Sequence, residues 1–279
     1  MNTGERYHFK VGAFDCVVIR DDTEVYPIGD LTADVPQNQL AQVLFDQGFP
    51  PAELSVDFAC LLIDTGKHRV LIDTGWGCGT QRREGRLCSN LEAEGIRPQD
   101  IDVIFITHSD RDRTGGILDA AGQPTFPNAR YVMWRGGWDA WLKASQAGSP
   151  EGVAVFDRRV LELLRDQVEL VDSGKEFLPG FQVIPAVGHR PEHTALSVSS
   201  GSEQLLHVAD ALVHPVLIEH SEWHWPYHSS REQARRDKQI LLARAAAQDA
   251  LVFGAHLPFP GLGYVTRWGG RWHWQPIAT

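Results

Sequence analysis

The chain alternates short apolar runs with segments of helical periodicity, and this alternation limits the folds that it can adopt. The apolar runs are rich in β-branched residues and end at Gly, Asp or Pro, which is typical of buried strands. Strands interleaved with helices favour an α/β fold in which helices cover the sheets. We predict strands at 14–19, 57–64, 69–73, 103–107, 130–134, 181–186, 194–199, 204–209 and 250–255. We predict helices at 37–47, 89–94, 138–143, 155–166 and 229–248.

The domain organisation follows from the absence of any linker. The sequence has no Pro/Gly linker, internal repeat or low-complexity tract, so residues 1–279 are predicted to form a single domain. A chain of this length can bury about 75% of its unfolded surface, so neither disulfides nor a structural metal are needed for it to fold. Residues 21–50 have the composition of an insertion that decorates the first part of the sheet.

The charge balance excludes one large class of partner. The chain has 36 acidic and 26 basic residues, a formal net charge of −10, and no cluster of Lys or Arg. Nucleic-acid binding depends on neutralising phosphates, so no nucleic-acid partner is expected. No apolar stretch is long enough for a membrane span, and the N-terminal residues lack the apolar core of a signal peptide. We therefore expect a soluble cytoplasmic protein without a membrane partner, whose four cysteines are reduced thiols. A disulfide or metal pair of Cys78 and Cys88, which are close in sequence, is the alternative.

The most informative segment is ITHSDRDRTGG at 106–116, directly after a predicted strand. It brings His108, Asp110, Asp112 and Arg113 together within six residues. A turn that leaves a strand can direct several polar side chains into one cleft. The segment also fits a solvated turn in which the carboxylates and arginines neutralise one another. A calcium loop is disfavoured because the remaining oxygen ligands and the closing Glu are missing.

Three later segments favour a functional cleft over a simple turn. VGHRPEHTAL places His189 and His193 after one predicted strand, LLHVADAL places Asp210 after another, and FGAHLPFPGLG places His256 after a third. Polar residues that follow neighbouring strands can meet at one edge of a sheet.

These motifs resemble those of the metallo-β-lactamase superfamily of metal-dependent hydrolases. That family has a T-H-x-H-x-D-H-x-G-G motif, a G-H-T-x-x-H turn, an Asp at a strand end and a final His. The early LLIDTG and VLIDTG runs are similar to its opening hairpin, and the tail HLPFPGLGYV is similar to that of a branch containing acyl-homoserine-lactone lactonases and organophosphate hydrolases. The resemblance covers residues 10 to 265 and implies a four-layer αββα sandwich.

The resemblance also implies a metal site that uses these residues. His108 and His189 match ligands of the family's first metal position, and Asp210 matches the carboxylate that bridges two metals. Asp112 and His256 match ligands of the second position. Zinc is the implied cofactor, as one or two ions, with iron or manganese as other candidates. His193 is a catalytic candidate, because it matches a position that either supports a ligand or faces the substrate.

Two positions depart from the family motif. Asp110 stands where the family has its second histidine, and Arg113 stands where it has its fourth. A carboxylate can still bind the metal, and Asp110 is a predicted extra ligand. Arginine stays protonated and has no lone pair to donate. We hypothesise that Arg113 enters the second metal position as a fixed cation, pairing with Asp110, Asp112 or a substrate anion; a surface salt bridge is the alternative.

The function implied is hydrolysis of a small-molecule ester, lactone or related carbonyl or phosphoryl substrate by a metal-bound hydroxide. Asp112 would orient or deprotonate the water, and Arg113 would hold an anionic oxygen. Two alternatives stay open, a metal-poor or metal-free binding protein and a mononuclear Fe(II) dioxygenase. The 21–50 segment resembles segments that make dimer contacts in the lactonase branch, so a homodimer is possible.

The other histidines and the tryptophans are predicted to pack in the core, to lie on the surface or to line a pocket wall. His207 lies within an apolar strand and is predicted to be a hydrogen-bonded core residue. Surface or pocket-wall positions are expected for His214, His220, His224 and His228, and core packing for Trp134, Trp138 and Trp141.

Overall fold

Neighbouring strands in the first half of the chain pair in sequential order. The structure is a computed structural model that describes residues 4–77, 85–146 and 151–278. Within these residues the first seven strands form one sheet, antiparallel from β1 to β4 and parallel from β4 to β7. They are β1 (Arg6–Val11), β2 (Phe14–Pro27), β3 (Glu53–Asp64), β4 (Arg69–Ile72), β5 (Val103–Phe105), β6 (Arg130–Trp134) and β7 (Val168–Val171).

A second sheet is built from the later strands in the order β14-β13-β12-β11-β10-β9-β8. Its one parallel pair in the part of the chain that is described joins β11 to β12. Strands β9, β11 and β12 therefore run in the same direction and end at the same edge. The bounds are β8 (Glu176–Leu178), β9 (Phe181–Pro185), β10 (Thr194–Ser200), β11 (Glu203–His207), β12 (Leu251–Phe253), β13 (Leu262–Trp268) and β14 (Arg271–Pro276).

Helices cover the outer face of each sheet, and this confirms the predicted αββα sandwich. In β5, Val103 and Phe105 face the second sheet, whereas Ile104 points to the outer helices, so both faces of the strand are buried. Alternation of this kind is expected where a sheet is covered on both sides. The helices are α1 (Gln37–Asp46), α2 (Leu87–Ala93), α3 (Arg111–Thr114), α4 (Arg135–Gln146), α5 (Glu151–Leu164), α6 (Pro215–Glu219) and α7 (Arg231–Gln248).

The predicted elements are found, with some bounds changed. All nine predicted strands and all five predicted helices have counterparts, and Ser230 caps α7 by accepting a hydrogen bond from the backbone N–H of Gln233. Residues 64–68 form a hairpin turn between β3 and β4, in which Asp64 pairs with Arg69. Strands β1, β7, β8, β13 and β14 were not predicted. No helix among the described residues is both long and apolar enough to cross a membrane.

Two sequence-based interpretations need correction. Residues 21–27 are not part of an insertion, because they continue β2 and pair with β3 from Asp22 opposite Phe58 to Pro27 opposite Glu53. Only the segment after Pro27, with α1, lies outside the sheet. Cys88 is disulfide-bonded and not a free thiol, whereas Cys16 and Cys60 are free and buried as expected. Cys78 lies outside the described residues.

Candidate metal centre

Four loops bring the predicted polar residues together at one edge of the sandwich. They follow β5, β9, β11 and β12, and they carry the motif residues from Thr107 onward, the turn at 186–193, Asp210 and His256. Close backbone packing holds them in place. A Cβ atom at Gly116 would lie 2.2 Å from the carbonyl oxygen of Thr74, and one at Gly188 would lie 2.1 Å from the backbone nitrogen of Ala234. Only glycine permits these approaches.

His108, Asp110, His189 and Asp210 form the first cluster. Each offers one ligand atom, and these atoms lie within 4.8 Å of one another. The His189 Nε2 atom is 3.1 Å from Asp110 Oδ2 and 3.4 Å from Asp210 Oδ2. His108 Nε2 is 3.5 Å from Asp210 Oδ2. Imidazole nitrogens and carboxylate oxygens are the donors that zinc and other divalent transition metals prefer.

The orientation of His108 is fixed by a chain of hydrogen bonds from its far side. Its Nδ1–H donates to Thr107 Oγ1 at 3.0 Å, and the Thr107 hydroxyl donates to Asp73 Oδ2 at 2.8 Å. This directs Nε2 into the cluster, where it is buried and makes no hydrogen bond. A buried polar nitrogen without a partner is costly unless something binds it. A metal ion satisfies this atom, so the residues of the first cluster fit the implied metal.

The electrostatics of the first cluster favour bound positive charge. Burial disfavours the charged form of His108, yet Asp210 and Asp110 raise its pKa to about 10. Burial would likewise raise the pKa of Asp110, but the imidazoles of His108 and His189 hold it well below its usual value. The carboxylates therefore stay ionised and attract a cation, which can be a proton or a metal ion.

Arg113 lies inside the second cluster, which consists of Asp112, Asp210 and His256. Its Nη2 atom is hydrogen-bonded to Asp210 Oδ1, lies 2.6 Å from His256 Nε2 and lies 3.1 Å from Asp112 Oδ2. His256 is fixed from behind, since its Nδ1–H donates to the carbonyl oxygen of Asp57 at 2.9 Å. The guanidinium thus occupies the lone pairs of Asp112, Asp210 and His256 that a second metal ion would need. The residues of the second cluster therefore do not fit a metal ion.

The family is identified by a sequence model of the metallo-beta-lactamase superfamily, which matches residues 59–256. This range includes both clusters. The chain belongs to the metallo-beta-lactamase superfamily. The match confirms the family, the fold and the prediction that the chain is an enzyme of this superfamily.

Known relatives of this superfamily member are similar to it along most of its length. A probable metallo-hydrolase of Mycobacterium tuberculosis is 25% identical over 71% of this chain and 74% of its own. The structure of AidC, a dizinc quorum-quenching lactonase in complex with a product, covers 99% of this chain and 98% of its own, with a TM-score of 0.90 and 25% identity. The match to the structure of the hydrolase AbOPH covers 100% of this chain and 99% of that protein, with a TM-score of 0.88 and 24% identity. The two chains therefore share a fold.

The position of Arg113 bears on the hypothesis that its guanidinium pairs with Asp110, Asp112 or a substrate anion. Its side chain is 1% exposed and does not line the cleft described below, so the geometry does not support a bond from Arg113 to a substrate anion. The predicted pairing with Asp112 is present. Pairing with Asp110 is not seen, because that carboxylate accepts from Arg190 Nε at 2.9 Å.

His193 supports the cluster and does not face the cleft. Its Nδ1–H donates to the carbonyl oxygen of Ala186 at 2.8 Å, and its Nε2 accepts from the backbone N–H of Asp210 at 3.0 Å. Both ring nitrogens are therefore used, and the ring is fully buried. Of the two roles expected for His193, the geometry favours positioning of Asp210 over contact with substrate.

Three residues near the metal centre were not predicted. Arg190 orients Asp110, as described above. His228, expected on a surface or pocket wall, is buried, and its Nε2–H donates to the carbonyl oxygen of Asp210 at 3.1 Å. Trp225 stacks on the ring of His189, with centroids 5.5 Å apart and planes 18° apart. Each contacts a predicted ligand that lies at least 18 residues away in the sequence, so spacing along the chain does not show the pairing.

A cleft opens directly onto the first cluster. Its volume is about 170 Å³, and the residues at its base are Asp110, Asp112, His189, Asp210 and His256. Apolar and aromatic side chains form much of its wall, as is typical of sites for small organic ligands. The remaining lining residues are Tyr26, Asp30, Leu54, Val56, Phe58, Arg190, Trp225 and Tyr227.

The other histidines and the tryptophans mostly follow the prediction. His207 is buried, and its Nδ1 accepts from the backbone N–H of Ala209, which confirms the core assignment. Trp138 and Trp141 are buried in the helix-covered core, as predicted. His214 lines a separate pocket, which agrees with the predicted pocket-wall role, and it also caps α6 by accepting from the backbone N–H of Val216.

Proposed function

We propose that the chain is a metal-dependent hydrolase of neutral esters or lactones that carry an apolar chain. The observation that carries this proposal is the buried, unpartnered Nε2 of His108 beside His189, Asp110 and Asp210 at the base of a cleft. Zinc is the ion we propose, held by these four residues. When bound, such an ion lowers the pKa of a coordinated water molecule and polarises the electrophile.

Asp112 is the residue proposed to handle the proton of the attacking water. It lines the cleft, and its carboxylate lies within 4.8 Å of Asp210, a ligand of the first cluster. Arg113, which does not line the cleft, lies 3.1 Å from the Asp112 carboxylate and positions it. A carboxylate at this place can orient a water molecule and accept its proton.

The charge of the cleft favours a neutral substrate. Four aspartates, Asp30, Asp110, Asp112 and Asp210, line it together with a single arginine, Arg190. A divalent ion would offset only part of this negative charge, so an anionic substrate would meet repulsion. The apolar wall, which includes Leu54 and Phe58, suits an acyl or alkyl chain and excludes water from it. Lactonase activity in the similar AidC structure supports the choice of substrate class.

The test is a substrate panel on protein prepared with zinc and on the same protein after chelation. N-hexanoyl homoserine lactone, an aryl ester, a phosphotriester and a β-lactam with a free carboxylate would be compared. We expect zinc-dependent hydrolysis of the lactone or the ester, and a loss of activity in the His189→Ala variant. Preference for the carboxylate-bearing β-lactam would contradict the substrate class, and full activity without metal would contradict the mechanism.

The ligand set also suits Fe(II), because two histidines with carboxylates and open positions are typical of non-haem iron enzymes. Loading with Fe(II) and following oxygen consumption with thiol substrates distinguishes this second candidate. Oxygen uptake without zinc-dependent hydrolysis would replace the hydrolase proposal by an oxygenase. A protein that binds zinc in the cleft but turns over none of the panel would be a binding protein on the same fold.

A further inference from the structure

We infer that Arg113 is a permanent substitute for a second metal ion, so that the protein binds one divalent ion at its centre and cannot bind two. This inference rests on the proposed function, since it requires a metal at the first cluster. It departs from the dizinc state of the similar lactonase AidC.

The contacts of Arg113 are those of a cation at the second position. Its Nη2 atom contacts one atom of each member of the second cluster: Asp112 Oδ2, Asp210 Oδ1 and His256 Nε2. A zinc ion would need those same lone pairs at about 2.0 to 2.2 Å. The guanidinium is itself a donor without a lone pair, so it competes for these atoms and cannot become a ligand.

The guanidinium cannot leave the second cluster at low cost. Its side chain is 1% exposed, and the Arg113 carbonyl oxygen accepts from both the backbone N–H and the hydroxyl of Thr74, at 2.8 and 2.7 Å. Burial alone would lower the pKa of Arg113, but Asp112, Asp210 and Asp73 raise it, so the group stays charged. Moving it out would leave these buried carboxylates without a counter-charge.

Asp210 links the guanidinium to the first cluster. Its Oδ1 accepts from Arg113, while its Oδ2 lies 3.5 Å from His108 Nε2 and 3.4 Å from His189 Nε2. One oxygen is thus held by the fixed cation, and the other faces the two histidines of the first cluster and also lies 3.2 Å from His256 Nε2. Arg113 therefore orders Asp210 before any metal binds, and Oδ2 is the oxygen that would be offered to a metal ion.

Metal stoichiometry decides the question without any measurement of activity. The full-length protein would be saturated with zinc, dialysed against metal-free buffer, and analysed by elemental mass spectrometry and zinc titration calorimetry. We expect one equivalent of zinc. Two equivalents would overturn the inference about Arg113 and leave the proposed function standing, whereas no bound zinc would overturn the proposed function.

Three variants test whether the guanidinium of Arg113 is what limits the protein to one zinc ion. Arg113→His restores a donor with a lone pair, and we expect it to bind two equivalents. Arg111→His makes the same exchange on the same short helix at a residue outside both clusters, and we expect one equivalent. A folded Arg113→His protein that binds one equivalent would overturn the inference.

His256→Ala keeps the inference testable if Arg113→His does not fold. His256 binds Arg113 in our account, so this variant should keep one equivalent of zinc with an affinity within about threefold of the native protein. A decrease in stoichiometry or a hundredfold weaker affinity would identify His256 as a metal ligand and overturn the inference.

Discussion

Arg190 donates a hydrogen bond from Nε to Oδ1 of Asp110 at 2.9 Å, and this leaves Oδ2 of the same carboxylate 3.1 Å from His189 Nε2. The Arg190 Nη1 group is anchored in turn on the carbonyl oxygen of Tyr227 at 2.7 Å. Both residues replace uncharged residues of the family motifs quoted above, a histidine at Asp110 and a threonine at Arg190. The arginine therefore compensates the added negative charge and orients the carboxylate toward the metal position.

Replacing Arg190 is expected to weaken metal binding. In Arg190→Ala, Asp110 loses its anchor and can rotate away from His189, and loss of such a supporting bond typically costs 10- to 100-fold in metal affinity. Competition with a chromogenic zinc chelator would measure the dissociation constant. Arg190→Lys should recover part of the affinity, because it keeps the charge without the fixed planar geometry.

The matched control for this experiment is Arg236→Ala. Arg236 is an exposed arginine of α7 that pairs with Glu232, and neither residue belongs to the metal clusters. Its zinc affinity should equal that of the native protein. Native affinity in Arg190→Ala as well would show that Asp110 needs no anchor.

Asp112→Asn tests the proposed handling of the proton. The amide keeps the size of the side chain but cannot accept a proton, so we expect kcat to fall by about 10²- to 10⁴-fold with little change in KM. Zinc content should stay at the native value, because Asp112 is bound to Arg113 and not to the metal in our account. Asp139→Asn, an exposed position on α4, is the control. An unchanged kcat for Asp112→Asn would remove this residue from the mechanism.

Much of the sandwich could be predicted because its central strands are apolar on both faces. Val103, Ile104 and Phe105 are all buried, and such a run is visible in sequence without any knowledge of the partner strands. The hairpin of β13 and β14 was missed although its signal is present. Tyr264, Thr266 and Trp268 alternate with other residues before the Gly269–Gly270 turn, whose glycines both have positive φ. No apolar run marks this strand, because these three residues are exposed.

The candidate site was predictable only as far as the motif residues go. His108, His189 and Asp210 follow strands that end at one edge, so their convergence could be inferred from sequence order. The place of Arg113 in the motif led to the hypothesis that it enters the second metal position, and its contacts with Asp210 and His256 agree with that hypothesis. The pairing of Arg190 with Asp110 spans 80 residues and is not encoded in local spacing, since it depends on which loops pack together.

Tyr227 is predicted to set the preference for apolar chains. Its side chain lines the cleft and is 48% exposed, so a bound chain would cover it. Removing the ring in Tyr227→Ala should cost about 1 kcal/mol of binding, roughly a fivefold higher KM for a long-chain lactone or ester. The increase should be smaller for a short-chain substrate, and kcat should be unchanged. Trp268→Ala, which removes an exposed ring outside the cleft, is the control, and an equal increase for short and long chains would contradict the assignment.

Lys238 gives the native protein a distinct dependence of stability on pH. The side chain is buried in α7, and its Nζ donates to the carbonyl oxygens of Leu217 and Trp223, both at 3.1 Å. Burial lowers the pKa of Lys238 to about 8. Between this value and the ordinary value of 10.5 the unfolded chain binds more protons than the folded chain, so the free energy of unfolding rises with pH in that window.

The comparison with Lys238→Met isolates this contribution. A shift of this size corresponds to about 3 kcal/mol, so the unfolding free energy of the native protein should rise by that amount relative to the variant between pH 7.5 and 10.5. Urea denaturation at several pH values would measure the difference. Lys175→Met, at an exposed lysine, should give a difference that stays constant with pH. If the difference in unfolding free energy between the native protein and Lys238→Met is also constant with pH, Lys238 keeps an ordinary pKa in the folded protein. Only a lowered pKa of Lys238 makes that difference rise between pH 7.5 and 10.5.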